Sequence, residues 1–166
     1  MADKDAAPER RAVDVVTTSS GANQYRIVAS ATFDTEPAGV WELLWDWERF
    51  LAVGLPGQTS AFKWLSGGPD KVPSTFEFVV AGVTVREEIY ERVEGTAGRY
   101  RLRYKTLEPA LGILEYDAVL ELQGLAEGQT SFSATRDVRL AAGSTPDMLA
   151  GMVESETQCL KEHFGR

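Results

Sequence analysis

The stretch STPDMLAGMVESETQCLKEHF, residues 144–164, decides how the rest of the chain is read. Met148, Leu149, Met152, Val153, Cys159, Leu160 and Phe164 recur at helical spacing and form one apolar stripe. Ser144 or Thr145 can cap this helix, Pro146 suits its first turn, and Asp147 sits where the helix dipole favours negative charge. Lys161 and His163 fall in the last turn, where positive charge is favoured, and Gly165 ends the helix. A helix of roughly twenty residues spans about 30 Å, the width of a small domain. It needs a partner surface as long as itself.

The preceding residues supply that surface as strands. From residue 59 onward the period is two: Phe62 and Trp64; Phe76, Phe78 and Val80; Val83, Val85, Glu87 and Ile89; Tyr100, Leu102 and Tyr104; Leu114, Tyr116, Ala118, Leu120 and Leu122; Phe132, Ala134, Arg136, Val138 and Leu140. Each set alternates with polar or small neighbours, and turns fall at Ser66–Asp70, Ala81-Gly82 and Gly95–Gly98. Consecutive strands with short turns predict an antiparallel meander with one dry and one wet face. Upstream, Gln24 to Asp34 alternates as a further strand. Thr35-Glu36-Pro37 then opens a helix with Val40, Trp41, Leu44 and Trp45 on its apolar face, and a second short helix over about Trp47–Ala52 stops at Gly54-Leu55-Pro56-Gly57. Residues 1–23 read as a flexible N-terminal tail and 24–166 as a single domain.

Composition narrows the function. A formal charge of −8 argues against nucleic acid or anionic lipid as a partner, since both need a basic surface. No apolar run is long enough for membrane insertion, and the charged opening MADKDAAPERR is not a secretory signal. The single cysteine, Cys159, fits a reducing compartment, so a cytoplasmic location is expected. Neither GxGxxG nor GxxxxGK occurs, and one His with one Cys falls short of a zinc site; no cofactor and no metal are expected.

The order strand, two helices, six strands, long helix, with Ala31-Thr32-Phe33-Asp34 leading into the run from Pro37 to Asp46, resembles the helix-grip superfamily. That group holds START lipid-transfer domains, birch-pollen-allergen-like proteins and polyketide cyclase/dehydrase-like proteins. The resemblance implies an α+β fold, a bent antiparallel seven-stranded sheet wrapped around the long C-terminal helix. It also implies a small apolar or aromatic ligand held between sheet and helix, in a monomer or homodimer. Some members catalyse cyclisation, aromatisation or dehydration, a lyase or isomerase chemistry. Others only carry a lipid or small molecule, and others serve as chaperone-type interaction modules.

Glu87 is the most informative residue. Its parity matches Val83, Val85 and Ile89, so it faces the interior unless a bulge flips the strand. A carboxyl facing an apolar cavity has its pKa raised by desolvation unless a cation pairs with it, which suits a general acid or base. Arg136 lies in the inward row of the last strand and can pair with Glu87 or clamp a ligand oxygen. Tyr104 completes the candidate catalytic set, and with Tyr100 and Tyr116 it can orient ligand oxygens or pack as plain core. The ligand-facing candidates are Phe62, Trp64, Phe76, Phe78, Val85, Tyr100, Leu102, Tyr116, Ala118, Leu120, Phe132 and Ala134, with Met148 and Met152 as an adaptable floor. Cys159 and His163 are four apart, but the negative end of the helix dipole opposes a thiolate there.

Overall fold

Alternation becomes an eight-stranded antiparallel sheet in the computed structural model, which describes residues 13–165. The elements are β1 (Val13–Gly21), β2 (Gln24–Phe33), α1 (Pro37–Trp45), α2 (Trp47–Gly54), β3 (Thr59–Ser66), β4 (Ser74–Val80), β5 (Val83–Glu94), β6 (Arg99–Thr106), β7 (Ile113–Gly124), β8 (Thr130–Leu140) and α3 (Asp147–His163). Strand order across the sheet is β1-β2-β8-β7-β6-β5-β4-β3. This is the α+β helix-grip architecture with one strand more than the seven expected.

The extra strand corrects the expected tail. Residues 13–21 pair with β2 without a break from Val13 opposite Ala31 to Ser19 opposite Tyr25. The expectation for residues 1–12 lies outside the described residues. The alternation test fails on β1 because every side chain from Val16 onward is exposed. Its outer edge carries one charge, Asp14, and neither Lys, Arg nor Pro. The opposite edge differs: β3 pairs with β4 irregularly between Ser60 and Lys63 and again between Trp64 and Ser66, and Ala61 takes a φ of 54°. Such bulges blunt an edge against further pairing.

Turn chemistry follows sequence. Ala81 and Gly82 take φ values of 50° and 75°, the left-handed pair that a two-residue hairpin between β4 and β5 needs. Pro37 fits the first turn of α1, where its missing N–H is no loss. Asp46 ends α1 and caps α2 by accepting from the Arg49 backbone N–H.

Helices α1 and α2 cover the central strands with Val40, Trp41, Leu44, Trp47, Phe50 and Leu51. Phe33 stacks on Phe132 at 5.0 Å and meets Phe164 at 5.2 Å, closing one end of the core. The C-terminal end of α3 is tied there, with Thr35 Oγ1 donating to the Phe164 carbonyl and Lys161 Nζ to the Thr32 carbonyl. A smaller cluster of Ile27, Ala29, Val138, Leu140, Leu149 and Val153 holds its N-terminal half. The wet face carries a ladder of opposite charges: Arg101 and Arg103 of β6 pair with Glu91 of β5, while Glu115 of β7 pairs with Arg139 of β8. Among the described residues no helix is long and apolar enough to cross a membrane.

Candidate functional site

Strand parity brings four polar side chains to one place inside the sheet. On β5, Val85, Glu87 and Ile89 turn inward, and the irregularity in pairing falls only after Ile89, so Glu87 keeps the predicted face. Tyr104, Ala118 and Arg136 form one row across β6, β7 and β8. Tyr116 is two residues before Ala118 on the same face, and the small Ala118 leaves room above it for the longer side chains. From the opposite layer, Glu156 projects off α3 in step with Leu149, Val153 and Leu160, all on the buried side of the helix.

These groups form a hydrogen-bonded chain. Arg136 Nη2 donates to Glu156 Oε1 at 2.9 Å, and Nε donates to Tyr116 Oη at 2.6 Å. The Tyr116 and Tyr104 hydroxyls share a bond at 3.0 Å. Arg136 is 1% exposed and its Nη1 finds no acceptor among the described residues. Glu87, 5% exposed, has neither a side-chain hydrogen bond nor a cation in contact among them. Helix α2 touches the chain through a glycine. A Cβ on Gly54 would lie 2.8 Å from Glu156 Cγ, so only the bare backbone lets α2 pass over that carboxylate.

Burial sets the protonation states. It pushes the Glu87 carboxyl up to about 8; the nearby Glu156 charge adds to the rise and Arg136 opposes it. Burial also raises Glu156, against the pull of Arg136, which acts through both charge and hydrogen bond. The Arg136 guanidinium loses water, which alone would lower it, yet Tyr116, Tyr104 and Glu156 hold it well above its ordinary value. Burial raises both phenols, Tyr104 far and Tyr116 less so. One cation therefore faces two carboxyls. Glu156 touches it and carries the charge; Glu87, left over, holds a proton at neutral pH.

Beside this chain lies a small pocket of about 80 Å³ between the sheet and α3. Glu87, Tyr104, Tyr116, Thr106 and Glu156 give its polar wall. Leu51 of α2 and Leu55 just after it, Phe78 and Val85 of the sheet, and Leu149 and Met152 of α3 give its apolar wall. Leu111, in the turn between β6 and β7, lines it while 40% exposed, which places the mouth on that side.

A sequence-family model described as polyketide cyclase / dehydrase and lipid transport matches residues 24–165. The chain belongs to this family. The match starts where β2 starts, so β1 lies outside the span the family shares. No curated protein sequence matches the chain. Solved structures agree on the fold. A Thermobifida fusca protein solved by NMR is 22% identical with a TM-score of 0.68, covering 85% of this chain and 93% of that one. The human StarD13 lipid transfer and protein localization domain is 12% identical with a TM-score of 0.63, covering 92% and 89%. A Thalictrum flavum norcoclaurine synthase point mutant, in complex with a transition state analogue, is 13% identical with a TM-score of 0.60, covering 92% and 99%.

Within this polyketide cyclase / dehydrase and lipid transport family member, the candidates named from sequence separate into two groups. Glu87, Tyr104, Tyr116, Phe78, Val85 and Met152 line the pocket, and Arg136 stands directly behind Tyr116. Leu102, Ala118, Leu120, Phe132 and Ala134 are buried in the core away from it. Phe62 stacks on Phe76 with centroids 5.4 Å apart, Trp64 meets both edge-on, and Tyr100 packs on Trp41. Met148, expected in the floor, is 81% exposed: the buried face of α3 passes through Leu149, Val153 and Glu156, a quarter-turn away. Glu156 is hidden in the sequence because it is a charged residue set into an otherwise apolar stripe. Its spacing from Leu149, Val153 and Leu160 was the available signal.

Proposed function

We propose that the protein binds one small, largely apolar molecule between α3 and the sheet, and that Glu87 exchanges a proton with it. The observation that carries this reading is a carboxyl buried against an apolar pocket with no protein partner of its own. An acid held near neutrality can give a proton to a departing hydroxyl and, once ionised, take one from the neighbouring carbon. Those two transfers make up a dehydration, and the same pair closes a ring when the carbon attacks a second carbonyl within the molecule. Tyr104 and Tyr116 orient the ligand oxygen, and Arg136, neutralised by Glu156, holds Tyr116 in place. Family membership supports the same chemistry.

The test uses β-hydroxy ketones, whose loss of water is followed by the ultraviolet absorbance of the enone. Glu87→Gln keeps the side-chain shape and removes the titrating proton. Turnover should fall by roughly 100-fold or more, the scale of a lost general acid or base, while an apolar fluorescent dye binds as before. Undiminished turnover in a folded Glu87→Gln protein defeats the assignment. Dye and ketone binding without turnover in the unaltered protein makes the protein a carrier.

A further inference from the structure

The pocket's polar wall has more hydrogens than places to put them. Behind that wall, out of the pocket's reach, Arg136 commits Nε to Tyr116 and Nη2 to Glu156, leaving Nη1 without an acceptor among the described residues. The two phenols share one hydrogen bond, so one of their two protons has no protein acceptor there either. Protonated Glu87 adds a further O–H. The two donors on the wall itself, the spare phenol proton and the Glu87 O–H, call for an acceptor held in the pocket.

Charge and size narrow that acceptor. Arg136 and Glu156 cancel, and Glu87 is neutral, so the wall has no net charge to offer. A carboxylate ligand would meet an arginine already paired and would crowd Glu156. An ammonium would satisfy Glu87 and leave the donors stranded. A cavity of about 150 Å³ suffices for benzene. This one, about 80 Å³, takes a ring only if its mouth yields at Leu111 and Met152, both part-exposed. Nothing larger than one ring or a short chain fits.

We propose that the ligand is a small neutral carbonyl compound, one ring or a short chain in size, whose oxygen is held by the Tyr104–Tyr116 hydroxyl pair and the Glu87 carboxyl. This rests on the pocket being the ligand site. Every titratable group facing Glu87 enters the balance: Tyr104 from β6, Tyr116 from β7, Arg136 from β8 and Glu156 from α3, while β6 adds the uncharged Thr106 and α2 with the residue after it presents only Leu51 and Leu55. Ionising Glu87 therefore puts an uncompensated negative charge beside the carbonyl oxygen, and affinity for such a ligand falls in alkali.

Four probes of one shape separate the classes: acetophenone, ethylbenzene, benzoate and 1-phenylethylamine, titrated by calorimetry into the full chain at pH 6.5 and pH 9. Acetophenone should bind at least tenfold tighter than ethylbenzene at pH 6.5 and lose most of that advantage at pH 9. A ¹³C-labelled carbonyl should shift downfield on binding. Ethylbenzene matching the ketone, or either charged probe binding tightest, overturns the proposal and leaves the pocket standing. If no probe binds and the apolar dye also fails, the pocket itself is not the ligand site and both readings fall.

Discussion

Replacing Glu87 with glutamine should stabilise the protein, and should do so more as the pH rises. Glu87 titrates at about 8 in the folded state, against 4.5 for an unburied carboxyl. Between those two values the folded chain holds a proton that the unfolded chain has released. A group raised in this way supports folding fully below pH 4.5, and that support drains away as the pH climbs to about 8. At roughly 1.4 kcal/mol per pH unit, wild type should lose about 3–4 kcal/mol between pH 5 and pH 8 on account of this one group. Glutamine has nothing to titrate. The raised Glu156 remains in both proteins, and while Glu87 is neutral its own titration contributes alike to each. Urea unfolding, followed by tryptophan fluorescence at pH 5, 6, 7 and 8, measures the gap directly, with equal m-values as the check on a common unfolded state. Trp47, buried beside Tyr104, makes the signal report on this part of the core. A stability difference between the two proteins that stays constant within about 1 kcal/mol across the range would refute the reasoning, because Glu87 would then not be a buried neutral acid.

Two further outcomes follow from the same cluster. Arg136→Met should cost about 3–5 kcal/mol by stranding Glu156 in the interior, whereas Arg136→Met with Glu156→Leu should recover a large part of it; a double-mutant cycle in urea reads the coupling. Gly54→Ala should cost about 1–3 kcal/mol, since its Cβ would press on Glu156 Cγ at 2.8 Å, and the loss should shrink in a Glu156→Ala background measured by the same unfolding curves.

Period-two alternation located Glu87, Tyr104 and Arg136 on the inner face because a strand has only two faces, and no bulge intervenes before Glu87. Fold order was legible for the same reason. The lining of the pocket was not, because alternation separates inside from outside without distinguishing a filled core from an opening. Leu120 and Phe132 satisfy the same pattern as Phe78 and Val85 yet lie in solid packing. Met148 shows the helical version of this ambiguity: an apolar residue next to the buried stripe of α3 extended the stripe on paper and stands in solvent. The Arg136–Glu156 contact joins β8 to α3 across the layers and depends on how those elements dock, which no local spacing encodes. β1 was hidden for a simpler reason: Val16 to Gly21 are exposed throughout, so its pairing lies in backbone hydrogen bonds alone.

The unequal ends of the sheet govern how copies of this chain can polymerise. Endless growth by strand addition needs two receptive ends per molecule, one for each neighbour. Here β1 offers a regular, almost uncharged row of backbone groups, while β3 is kinked at Ala61 and broken in register twice. Two molecules meeting through β1 would consume the receptive end of each and present only β3 outward. Among the described residues, strand addition through β1 would therefore be self-terminating: it would give a two-fold pair and no fibre.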